Sequence, residues 1–131
     1  YHRYCYVDSG KKSRNVFLPG VLHTVRPIAL AQYPVFTENS REYTLIRTQE
    51  FGTVVQMEVG AMLVGRIVNH EQEAQVQRGE EKGMFQYGGS TIIVLVGKEQ
   101  VKLREDLLKS AQLGIETAVQ MGETIGYAKK N

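Results

Sequence analysis

The chain has 131 residues and a mass of 14.8 kDa, with 42% hydrophobic and 23% charged side chains and 16 basic residues against 14 acidic ones. That length suits one domain, able to bury roughly 70% of its unfolded surface, and a net charge of +2 gives no case for a nucleic-acid partner. A single cysteine, Cys5, excludes an intrachain disulfide and any multi-cysteine zinc site. The longest apolar run, Thr91 to Gly97, is far short of the ~20 residues of a membrane-spanning helix. Arg3 and Asp8 interrupt the apolar residues at the start, so no secretion signal is read there. Tyr1 in place of an initiator methionine predicts a soluble globular piece whose upstream part is missing.

The dominant period is two. Turn chemistry at Pro19-Gly20 and Tyr33-Pro34 precedes a β-branched and aromatic run, Arg41 to Thr48, which reads as a strand. A second strand starts at Thr53, with Val55, Met57, Val59, Ala61, Leu63 and Gly65 in step on one face and Gln56 and Glu58 on the other. Gly60 and Gly65 within it suggest a bulge or a close backbone approach. The polar stretch Glu71 to Glu81 reads as an exposed connection with at most one short strand around Val76. Phe85-Gln86-Tyr87 and Thr91 to Val96 read as two more strands, the second apolar on both faces and therefore expected deep in the core. Only Glu105 to Leu113 reads as helix, with Leu107, Leu108 and Ala111 on one face and Gly114 as its C-terminal cap. The prediction is an all-β-dominated, sandwich or barrel-like (barrel-sandwich-hybrid-like) single domain with one or two short helices.

The informative stretch is Tyr87-Gly88-Gly89-Ser90-Thr91, a serine behind two glycines at the mouth of an apolar strand. The glycines free the backbone for unusual conformations and leave the Gly89 carbonyl unshielded. A base that took the Ser90 proton would let its hydroxyl attack that carbonyl, turning amide into ester. Elimination would then leave a dehydroalanine that hydrolyses to a pyruvoyl group, whose ketone accepts an amine as a Schiff base and acts as an electron sink. The plainer reading is a Gly-Gly-Ser turn between strands.

Several separate motifs bear on that choice. They are Tyr1-His2-Arg3-Tyr4, Pro19-Gly20, Val25 to Leu30, Phe36 to Tyr43, Phe51-Gly52, Met57 to Ala61 with Val64-Gly65, and Lys82 to Thr91. In this order and spacing they resemble the C-terminal half of phosphatidylserine decarboxylase, through at least residue 97, with a continuation at Glu116 to Gly126. The resemblance implies self-cleavage between Gly89 and Ser90, giving a β part of residues 1–89, an α part of residues 90–131, and a pyruvoyl cofactor derived from Ser90. It implies a lyase acting on phosphatidylserine to give phosphatidylethanolamine, peripheral on the cytoplasmic face of a bacterial membrane. It also implies an α/β heterodimer, with a dimer of these the simplest closed arrangement.

The resemblance also assigns residues. His2 matches a histidine implicated in decarboxylation, and Cys5 stands where the family carries the histidine of a self-cleaving Asp-His-Ser relay. The relay aspartate lies upstream of the motif in the family. A thiol works as a base only when ionised, so a substitute imidazole is expected. His23 stands where other members more often have an aromatic residue, and one histidine lost beside one gained makes His23 the candidate base; packing or hydrogen bonding at a strand edge is the alternative. His2, Cys5 and His23 lack paired metal-ligand spacing, so no metal is expected. Arg3 and Arg26 are candidates for a substrate carboxylate or phosphate from charge alone. His70, Glu80-Glu81-Lys82 and Asp106 read as solvated, and Met57, Met62, Met84 and Met121 as core or pocket lining. Two rival readings remain: a pyruvoyl decarboxylase of a free, for example aromatic, amino acid, and a β domain that never processes.

Overall fold

The structure, a computed structural model, describes residues 2–62, 66–87 and 91–129. Its eleven strands among the described residues form antiparallel sheets. β1 (Arg3–Cys5), β8 (Glu81–Gln86) and β6 (Arg66–Asn69) make a three-stranded sheet in the order β1-β8-β6. A larger sheet runs β7 (Ala74–Val76), β2 (Gly10–Lys12), β4 (Arg41–Thr48), β5 (Thr53–Val59), β9 (Thr91–Leu95), with β3 (Val16–Leu18) also paired to β4. β10 (Val101–Leu103) and β11 (Gly126–Ala128) pair with each other. The all-β, sandwich-like expectation holds, and no closed barrel forms among the described residues.

The β4–β5 hairpin is the spine. Seven residue pairs run from Arg41–Val59 to Arg47–Thr53, and the turn closes at Gly52, whose φ of 65° lies in the region glycine favours. The two larger sheets meet through side chains: Gln56 on β5 accepts from the Val7 amide and donates to the Cys5 carbonyl. Gly83 on β8 lets the chains approach there, because a Cβ would lie 2.1 Å from the Val68 carbonyl oxygen and 2.9 Å from the Tyr4 hydroxyl. Small apolar clusters flank this seam. One is Tyr4, Ala61 and Phe85; the other is Tyr6, Ile46 and Val76.

Alternation left open which face of β5 is covered, and three other expectations, on the end of β5, on β9 and on Lys82, are corrected. The buried face of β5 is Val54, Gln56 and Glu58, whereas Val55 and Met57 are half-buried. Alternation located the faces, but the polar one faces the second sheet, where its groups find partners. β5 ends at Val59, with Ala61 in an isolated bridge; Leu63, Val64 and Gly65 lie outside the described residues. β9 is an edge strand with Ile92, Val94 and Leu95 exposed, Leu95 to 53%, because β5 is its one partner among the described residues. Lys82 is fully buried rather than solvated.

The helix α3 (Glu105–Gln112) forms where expected, with Glu105 and Asp106 in its first turn and Gly114 at φ 68° just beyond its end. None of its residues is buried. Two single-turn helices, α1 (Pro27–Leu30) and α2 (Val35–Glu38), are additional; α1 starts on Pro27, whose fixed φ suits a first helical turn. Both are too short to leave a periodic signal.

Candidate active site

Gly88, Gly89 and Ser90 lie outside the described residues, so the site is built from its flanks. Upstream, β8 runs to Gln86, paired with Arg66 in the smaller sheet. Downstream, β9 begins at Thr91, paired with Val59 in the larger sheet. The two ends are thus laddered into different sheets, Thr91 against a fully buried Val59 that leads into buried Gly60 and Ala61.

His2 belongs to the upstream flank. Its carbonyl accepts from the Phe85 amide at 2.9 Å, and the next pair on the ladder is Arg3–Met84. Cys5 pairs with Glu81 at the opposite end of β8, past an irregularity between Tyr4 and Cys5. Three residue steps of extended chain separate Cys5 from His2, about 10 Å. β1 therefore sets His2 beside the end of β8 that leads to Tyr87, and Cys5 away from it.

His23 belongs to the downstream flank. The fully buried Asn39 donates to the His23 carbonyl at 2.9 Å and to the Gly60 carbonyl at 2.8 Å, and its Oδ1 accepts from the His23 amide at 3.0 Å. The Met62 amide donates to the same His23 carbonyl. His23 is thereby fastened to the chain that follows Val59, the residue opposite Thr91. Its ring stacks on Tyr33, centroids 5.0 Å apart, and its Nε2 lies 3.3 Å from Glu38 Oε2. A carboxylate against one ring nitrogen leaves the other, Nδ1, to face a second group. Glu38 was not singled out from the sequence; its only signal was its place fifteen residues after His23, across a connection that α1 and α2 fold back.

Other candidates are accounted for. Arg3 makes a two-pronged contact with Glu81, 2.7 and 2.9 Å, and His70 Nε2 lies 2.7 Å from the same carboxyl. Those partners hold the Glu81 carboxyl down to about 2, and they occupy Arg3. Arg26 is exposed at the start of α1. Asp106 is paired with Arg104. Met62 and Met121 are exposed, and Met57 and Met84 half-buried. No group of three or more His, Cys, Asp or Glu side chains among the described residues could hold a metal ion.

A buried ionic cluster escaped the sequence reading. Lys82 Nζ donates to Glu58 Oε2 at 2.6 Å and to Asn69 Oδ1 at 2.8 Å, with both charged side chains at 0% exposure. Asn69 Nδ2 donates to Glu42 at 2.6 Å and to Glu58 at 3.1 Å, and Lys82 lies 5.7 Å from the Tyr4 ring centroid. Burial drives Lys82 down and Glu58 up, each toward its neutral form, while their mutual attraction opposes both shifts. Burial also raises the Tyr4 hydroxyl far above its usual range. Glu58 pairs with Ile92, so the cluster lies under the first rungs of β9.

With this geometry in view, comparisons with known proteins decide the family. The phosphatidylserine decarboxylase family model matches residues 1–127. The chain belongs to the phosphatidylserine decarboxylase family. It is 48% identical over 126 residues to phosphatidylserine decarboxylase proenzyme 2 of Clostridium acetobutylicum, covering 96% of this chain and 43% of that protein. It is 41% identical to the proenzyme of Clostridium botulinum over 131 residues, 98% of this chain and 44% of the relative. The Clostridium perfringens proenzyme is 42% identical over 129 residues, 97% and 44% respectively. The chain thus spans under half the length of these curated relatives, corresponding to their C-terminal portion. No solved structure matches it. Among the described residues, no helix is long and apolar enough to cross a membrane.

Proposed function

We propose that the protein is a pyruvoyl-dependent carboxy-lyase that converts phosphatidylserine to phosphatidylethanolamine after breaking its own Gly89–Ser90 bond. The observation that carries this is the placement of the flanks. β8 is held by β1 and β6, and β9 by five rungs to β5, so each new end keeps its own ladder when the bond between them is cut. The 1–89 and 90–131 parts then remain together as an α/β pair. The same placement fits a Ser90-derived pyruvoyl group, since Thr91 is anchored beside buried Val59. That group would supply a carbonyl that takes up the substrate amine and draws electrons as carbon dioxide leaves.

This chain's residues supply the remaining steps. His23, with Glu38 holding its Nε2 side, takes the Ser90 hydroxyl proton at Nδ1, which starts the attack on the Gly89 carbonyl. Cys5 serves no role in this proton transfer, because its pairing with Glu81 sets it at the far end of β8. His2, at the near end, returns a proton to the substrate carbon that has lost its carboxylate. The apolar surroundings of Val59 and Ala61 keep water from the reacting groups. The substrate's acyl chains place the enzyme at a membrane surface.

Intact-mass spectrometry of the purified full-length protein beside Ser90→Ala tests the proposal. Two pieces split after Gly89, the smaller trapped by an amine with borohydride, are expected; a single chain identical to the Ser90→Ala control would overturn it. Assays with phosphatidylserine and with free aromatic amino acids then separate the lipid substrate from the amino-acid alternative.

A further inference from the structure

The buried Lys82–Glu58 pair takes no part in the proposed chemistry, yet it lies between the two flanks of the bond to be cut. Glu58 stands on β5, one residue before Val59, and pairs across the ladder with Ile92, two residues after Ser90. Lys82 stands on β8, the strand that leads to Gly89. Their 2.6 Å contact is therefore a direct side-chain link between the strand that carries the upstream flank and the strand that anchors the downstream one. The backbone aims the lysine there. Tyr4 on β1 pairs with Gly83 and the next residue, Cys5, with Glu81, so Lys82 is the extra residue of a β-bulge. Such a bulge re-aims a side chain out of the regular alternation. Asn69 joins the link to the strand of His2. Its Nδ2 donates to Glu58 at 3.1 Å, and its Oδ1 accepts from Lys82 at 2.8 Å and from the hydroxyl of Tyr4, two residues after His2, at 3.2 Å.

Stability alone gives little reason for such a pair. Taking two charges out of water offsets their attraction, and packed apolar side chains of similar volume often hold a core as well. What an apolar contact lacks is direction: two apolar surfaces can slide, whereas a hydrogen bond between charges fixes distance and angle. We propose that the Lys82–Glu58 pair is a positioning device for self-cleavage, which fixes the end of β8 against the start of β9 and so sets the conformation in which the Ser90 hydroxyl meets the Gly89 carbonyl. This rests on the proposed self-cleavage. Gln86 and Thr91 are five residues apart, a span of at most about 17 Å, and they are laddered into different sheets. A slip of one sheet over the other is thus taken up by the short segment that holds the bond, and a misplacement of about 1 Å can cost a hundredfold in rate. Lys82 and Glu58 act through the backbones of their strands and not on the reacting atoms.

The test is a time course of self-cleavage of the full-length protein after cell-free synthesis, read by intact mass. Urea unfolding of each variant in a Ser90→Ala background gives its stability without cleavage. Lys82→Met/Glu58→Leu should be nearly as stable as the parent yet cleave about tenfold or more slowly. Val76→Ala, which trims a buried side chain of the Tyr6 cluster, should do the opposite, with lower stability and cleavage at the parent rate. Glu58→Asp keeps both charges but draws the carboxylate back by one methylene, and it should slow cleavage several-fold. Lys82→Arg/Glu58→Asp, whose longer cation restores the reach, should recover the rate. Cleavage that tracks stability, slow in Val76→Ala and unaffected in the apolar pair, would overturn the proposal. If the apolar pair does not fold, Glu58→Asp decides: cleavage at the parent rate, or slow cleavage that Lys82→Arg/Glu58→Asp does not recover, would overturn it. A parent that stays whole defeats the self-cleavage reading and the positioning with it, whereas a cleaving parent matched in rate by the apolar pair defeats the positioning alone.

Discussion

Lys82→Met probes the buried cluster most directly. Lys82 and Glu58 are both at 0% exposure and 2.6 Å apart, so the substitution leaves a carboxylate in the seam between two sheets, with Asn69 Nδ2 at 3.1 Å as its remaining donor. Glu58 Oε1 already has no hydrogen-bond partner among the described residues, which makes the stranded group costlier. Breaking a buried pair from one side costs about 3–5 kcal/mol. For a chain of this size each kcal/mol lowers the melting temperature by roughly 3–5 °C, so a drop on the order of 10–20 °C is expected. The paired replacement Lys82→Met/Glu58→Leu should recover most of that loss, because neither charge is left to bury. Asn69 keeps its donation to Glu42 and its acceptance from the Tyr4 hydroxyl at 3.2 Å. Urea unfolding of the parent, Lys82→Met, Glu58→Leu and the paired variant gives the coupling energy. A cost under about 1 kcal/mol for Lys82→Met alone would refute the reasoning, since Nζ would then have to be reaching water.

Other outcomes follow from the same contacts. Lys12 Nζ donates to the carbonyls of Ser13, Glu71 and Gln72 and to Asn15 Oδ1, and burial lowers its pKa to about 8 from an ordinary 10.5. Between pH 8 and 10 the unfolded chain holds this proton more firmly than the folded one, so stability should rise with pH by at most about 1.4 kcal/mol per unit. Lys12→Met should flatten that rise in a pH series of melts. Asn39→Ala removes three hydrogen bonds from a fully buried side chain and should cost roughly 2–4 kcal/mol in urea unfolding, with slower self-cleavage as the His23 segment loosens. In a time course of processing, His23→Ala should abolish cleavage, Glu38→Gln should slow it, and Cys5→Ala should leave it intact; an unaffected His23→Ala would remove His23 as the base. Gly114→Ala, at φ 68°, should lower stability by about 1 kcal/mol through strain at the end of α3.

Local chemistry was legible along the chain. Arg41 to Thr48 was readable as a strand from its β-branched and aromatic run, and α3 from its apolar spacing and the glycine after it. The spaced motifs from His2 to Thr91 were enough to name the family that the comparisons show. Residue alternation also located the two faces of β5, yet it could not say which face another sheet would cover. Gln56 and Glu58 are inside because Cys5, Val7, Asn69 and Lys82 arrive from other strands to satisfy them, and Val94 and Leu95 are half in water because nothing described here pairs beyond β9. The same limit hid Glu38, whose carboxylate reaches His23 only after two single-turn helices fold the chain back. Period and propensity are local properties that a sequence carries in itself, whereas burial and the partner of a charge depend on residues dozens of positions away, and those only the tertiary structure brought together.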